Sequence, residues 1–123
     1  MTSLDTIRFR VMGIMSQMEI FSDTNLQPLG KIKIGKIRKN ATRLHGVCRY
    51  NRGVDKKRGD LTPADVKEVC LHPESLNDEW VRYAEFLLFH EFLHALGYSG
   101  HNREFRQLEA QWPDKDAKGM GLE

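Results

Sequence analysis

Cysteine is scarce: the 123 residues hold two, Cys48 and Cys70. Two cysteines outside a C-x-x-C pair build no disulfide framework, and each reads as a small buried hydrophobe. Long apolar runs are missing as well. The longest is Phe86-Leu87-Leu88-Phe89, against the roughly 20 residues that a bilayer crossing needs, so no membrane partner is expected. The opening Met1-Thr2-Ser3-Leu4-Asp5 has no basic stretch leading into an apolar one. No secretory leader is therefore expected, and the expected location is cytoplasmic. Internal repeats and low-complexity segments are absent too. What remains, 40% hydrophobic and 29% charged residues, is the composition of a globular protein with room for one domain.

Charge is unevenly placed. Residues 1–60 carry thirteen lysines and arginines against five acids, and the remainder reverses the balance with six against twelve. Between Lys31 and Arg58 there are eleven basic residues and a single acid, Asp55. Such a stretch can neutralise phosphates and release their counterions. Lys36, Arg38, Lys39, Arg43, Lys56, Lys57 and Arg58 are thus candidate contacts to DNA. A solvated basic face with no partner explains the same composition equally well.

Hydrophobic spacing gives the elements. Ile7, Val11, Ile14, Met15 and Met18 make one stripe of a helix over residues 3–20, with Thr2 and Asp5 placed as its capping pair. Lys31–Ile37, Leu44–Tyr50 and Val66–His72 read as three short strands, the last stopped by Pro73. A helix apolar on nearly every side follows from Asp78 to Leu96, with Asn77 as its cap and Gly97 at its end. A last helix covers Asn102 to Gln111. The expectation is an α+β domain over residues 1–113, followed by a frayed tail from 114. In that domain a small, mainly antiparallel three-stranded sheet packs against the N-terminal and central helices.

Inside the central helix stands His90-Glu91-Phe92-Leu93-His94. Two histidines four residues apart lie about 40° apart around a helix, one above the other, so both imidazoles reach one ion. Glu91 lies to their side, where its carboxylate can meet a water at the metal without being a ligand, as a general base must. A catalytic zinc takes three protein ligands and an open fourth position. His101 is the candidate third, because Gly97 can adopt the left-handed turn that brings the chain back. This set implies one Zn2+ per chain and hydrolysis of a protein or peptide substrate. His45, Tyr98 and Arg103 are candidates by chemistry for stabilising an oxyanion or supporting the site.

These residues resemble the SprT-like metallopeptidases and the related YgjP-type domains. Arg38-Lys39-Asn40-Ala41-Thr42-Arg43-Leu44-His45-Gly46-Val47-Cys48 is similar to the family's basic strand. Val69-Cys70-Leu71-His72-Pro73-Glu74-Ser75-Leu76 is similar to the strand and turn before its active-site helix. His101-Asn102-Arg103-Glu104-Phe105 is similar to its third-ligand segment. The resemblance spans about residues 31–112. It implies a zincin-like fold, zinc on His90, His94 and His101, Glu91 as general base, and degradation of proteins crosslinked to DNA; the expected state is a monomer. The rival expectation from another class is an inactive module that holds nucleic acid through residues 31–58.

Overall fold

The computed structural model describes residues 2–41, 44–98 and 100–117. Three helices and three strands follow one another as α1 (Leu4–Ser16), β1 (Lys33–Lys36), β2 (Gly46–Tyr50), β3 (Val66–Leu71), α2 (Val81–Ala95) and α3 (Arg103–Glu109). The α+β class expected from the sequence is the one observed.

Ile7, Val11 and Met15 make α1 amphipathic, and all three are fully buried. The capping residue is Ser3, not Thr2: its side chain accepts from the Thr6 amide, satisfying one of the amides that the first turn leaves unpaired. The central helix also begins later than its spacing suggests. Asp78–Trp80 form a separate 3-10 turn, and Trp80, at φ −114° and ψ 6°, interrupts the path before α2 starts at Val81. Asn77 makes no side-chain cap there. From Val81 onward the helix is buried on most sides, with Leu88, Phe89, Phe92 and Leu93 fully enclosed. Together with α1 and the inner face of β3, through Val69 and Leu71, these side chains form one core.

The sheet is mixed, which corrects the mainly antiparallel expectation. Its order is β1-β3-β2, with β2 antiparallel and β1 parallel to the central β3. The end of β1 and the start of β2 both lie beside Leu71, since Lys36 and Gly46 are each its partner. The connection between them therefore passes the end of β3 and spans about two strand spacings, ~10 Å. A chain that crosses in this way returns in the opposite direction, so β2 opposes β3 and β1 follows it. Alternation within each strand says nothing about this choice.

At the far end of α2 the amide of Gly97 donates to the His94 carbonyl and that of Tyr98 to the Leu93 carbonyl, a Schellman closure. Gly97 sits at φ +114°, and a Cβ there would lie 2.7 Å from the Leu61 carbonyl oxygen. Both facts require glycine. Beyond α3, Trp112 is buried and stacks on Phe89, and Asp114 takes two hydrogen bonds from Arg82. No helix among the described residues is long and apolar enough to cross a membrane.

Candidate metal centre

Two helices and the turn between them assemble the site. His90 and His94 rise from adjacent turns of α2, and the Gly97 turn leads the chain back so that His101, just before α3, meets them. One nitrogen from each imidazole can be chosen so that all three lie within 4.8 Å of one another. The three ring centroids form a nearly equilateral triangle, with sides of 4.9, 5.1 and 5.0 Å. Beneath them lies the fully buried ring of Phe105, with its centroid 4.7 to 5.1 Å from each imidazole.

The free lone pairs are fixed by what the other ring nitrogens do. His94 Nδ1 stands 2.7 Å from the Tyr98 carbonyl oxygen. A carbonyl can only accept, so Nδ1 carries the proton and Nε2 is the bare nitrogen. That Nε2 lies 3.2 Å from His101 Nε2. Two nitrogens each about 2.0–2.1 Å from one tetrahedral ion are about 3.3–3.4 Å apart. His90 Nδ1 is held by Glu109 Oε2 at 2.5 Å, which leaves its Nε2 to face the cluster. A carboxylate on one ligand and a carbonyl on another is the usual support of metal-binding histidines. Burial pushes the His94 imidazole down to about 4 and holds His90 below its ordinary value, despite the opposing pull of Glu109. Both rings are therefore neutral at pH 7, as ligands must be. The donor set thus fits a metal ion: three convergent imidazoles, two of them oriented from behind.

Glu91 is 4% exposed. Its Oε2 lies 4.0 Å from His90 Nε2, the nearest potentially cationic group among the described residues. Burial alone drives its carboxyl up to about 8, the behaviour of an acid enclosed without a counter-charge. The backbone of β2 comes close enough to enclose it because residue 46 has no side chain. A Cβ on Gly46 would stand 3.0 Å from Glu91 Oε2 and from Leu87 Cδ1.

A cleft of about 270 Å³ opens over these groups, lined by His90, Glu91, His94 and His101 on one side and by Gly46–Cys48, Tyr50 and Lys56 on the other. Tyr50 donates from its hydroxyl to the His94 carbonyl at 3.1 Å, tying β2 to the end of α2. The Cys48 thiol is pushed up to about 12, mainly by burial and further by Glu91, so it stays protonated and inert at neutral pH. A larger groove of about 510 Å³ along α1, beside Phe9 and Ile14, contains none of these groups.

The other sequence candidates are scattered. His45, Tyr98 and Arg103 are not among the residues that line the cleft. His45 Nδ1 pairs with the Tyr83 hydroxyl at 2.7 Å, Tyr98 serves through its carbonyl, and Arg103 opens α3 as an exposed residue. Lys36, Arg38, Lys39 and Lys57 are exposed, and Arg43 lies outside the described residues. Arg58 is engaged by Asp60 and Asp65 at 2.8 and 2.9 Å. Lys56 is exposed too, and is the one of these basic residues, among those described, that lines the cleft. Sequence reasoning did not find Glu109, Tyr50 or the part played by Gly46. A signal for Glu109 does exist, because it follows the aromatic Phe105 by four residues and so shares its stripe on α3.

No protein-family model, no curated protein and no solved structure matches the chain.

Proposed function

We propose that the protein is a zinc-dependent peptidase with a zincin-like arrangement of helix, third histidine and edge strand. The observation that carries this reading is the pairing of three convergent histidines with a buried carboxyl, Glu91, that is not one of them. A purely structural zinc normally closes four ligands and has no use for an enclosed carboxylate beside it. An ion of softer or harder preference is less suited to three imidazoles.

When bound, zinc supplies Lewis acidity at the substrate carbonyl and makes a water ionisable near neutral pH. The chain's own groups do the rest. Burial keeps the Glu91 carboxyl protonated by itself; beside a bound dication it would ionise, and Oε2 could then accept the proton of the attacking water and pass it to the amine that leaves. Glu109 and the Tyr98 carbonyl hold the imidazoles of His90 and His94 in their ligating tautomers. β2 is an edge strand bordering the cleft, and its free side offers main-chain donors and acceptors to an extended peptide.

The test is hydrolysis of unfolded protein by the zinc-loaded chain and by Glu91→Gln. A loss of at least about 100-fold with zinc still bound is expected on removing the base. Cleavage by the variant at the wild-type rate contradicts the assignment.

A further inference from the structure

Three consecutive cations, Lys56, Lys57 and Arg58, lie on the connection from β2 to β3, and they are not equivalent. Arg58 is neutralised by Asp60 and Asp65. The Lys57 amide is held by Asp55 at 2.9 Å. Lys56 forms no ion pair among the described residues, and its side chain lines the cleft that holds His90, Glu91, His94 and His101. The connection is fixed at both ends. Asn51, at its start, bonds through its amide to the Asp65 carbonyl and through its side chain to the Ala64 carbonyl, both at its end, at 2.8 and 3.0 Å, and Arg58, midway along, pairs with the Asp65 side chain. Lys56 is an exposed residue on a fifteen-residue connection, and these bonds hold that connection beside the cleft. Cys48 of β2 lines the same cleft as Lys56.

The histidines and Lys56 share one small cleft in which, among the described residues, Glu91 is the one acidic side chain. An extended peptide advances about 3.3–3.6 Å per residue, so the side chains flanking a carbonyl held at the histidines lie in or beside that cleft. We propose that Lys56 is a specificity residue that pairs with an acidic side chain of a peptide substrate close to the scissile bond. The proposal rests on the peptidase reading above. It assigns the cleft a substrate class, peptides carrying aspartate or glutamate beside the cleaved bond, selected by a charge-assisted hydrogen bond that neutral residues cannot make. An ammonium on a flexible stem suits a single carboxylate that approaches from varied directions.

The experiment digests a pool of synthetic decapeptides, randomised at the central positions, with zinc-loaded protein and reads the cut sites by mass spectrometry. The wild type is expected to favour an acidic residue at one flanking position by about tenfold in kcat/KM, the scale of one such bond. Lys56→Ala should abolish that ratio and Lys56→Glu should turn it toward lysine and arginine. Cleavage without acidic preference, or with the same preference in Lys56→Ala, overturns the proposal. If the pool stays intact while zinc is bound, the peptidase reading fails separately. Binding then decides on Lys56, measured by fluorescence anisotropy of a labelled Gly-Ser peptide with Asp or Asn at its centre. Tighter binding of the Asp peptide that Lys56→Ala erases supports the assignment. Equal binding, or displacement of the Asp peptide by a single-stranded oligonucleotide whose own binding needs Lys56, overturns it.

Discussion

Oε2 of Glu109, on α3, stands 2.5 Å from Nδ1 of His90, on α2, nineteen residues earlier in the chain. The contact ties the docking of the last helix to the orientation of an imidazole of the three-histidine cluster that could hold a metal ion. Such partners typically change metal affinity by about 10- to 100-fold. Glu109→Gln should therefore release zinc to a competing chelator at about tenfold lower chelator concentration while leaving the circular dichroism spectrum unchanged. Unaltered affinity would mean that His90 is oriented by packing on Phe105 alone.

Gly97 closes α2 and turns the chain toward His101. At φ +114° an alanine is strained, at a cost of roughly 1–3 kcal/mol, and its Cβ meets the Leu61 carbonyl oxygen at 2.7 Å. Gly97→Ala should lower the urea midpoint at unchanged m-value and weaken zinc binding with it. Gly59, with nothing within 4 Å of an added Cβ, is the control. Gly59→Ala should stay within about 0.5 kcal/mol of wild type.

Glu85 joins α2 to α1 through Arg10, whose Nε is 3.1 Å from Oε2. That oxygen is nonetheless buried without a hydrogen bond, so the pair is close but poorly aligned. Burial raises the carboxyl above its ordinary 4.5, and Arg10 only partly offsets it. A carboxyl whose folded value is raised favours the protonated native state. Its contribution is thus full below 4.5 and is lost as pH rises through the folded value. Glu85→Gln should flatten stability across that window and, at pH 7, fall no more than about 1 kcal/mol below wild type. Denaturant titrations at several pH values check this, and a fall of several kcal/mol at pH 7 would contradict it.

Much of this was legible in the sequence where the interaction is local. The five-residue His90–His94 motif, the apolar wrap of its helix and the glycine at its end are set by positions a few residues apart, where helical periodicity fixes geometry. The mixed sheet was not legible. Whether β1 lies beside β2 or across β3 depends on how the connection passes Leu71, and strand alternation is the same for either arrangement. Trp80 is apolar and continues the helical stripe, so only its backbone angles reveal the break before Val81. Glu109 looks like any exposed acid of a short helix until α3 docks against α2. His45 and Arg103 show the converse: suitable chemistry near the motif in sequence does not place a side chain in the cleft.

The central claim is that His90, His94 and His101 together hold zinc beside a carboxyl that is not a ligand. Metal content by elemental mass spectrometry tests it most directly, on wild type, His101→Ala and Glu91→Gln purified without added metal. The account predicts about one zinc per chain in wild type and in Glu91→Gln, and a sharp loss in His101→Ala. Wild type that takes up no zinc even when it is supplied, or His101→Ala that retains it fully, would contradict the account.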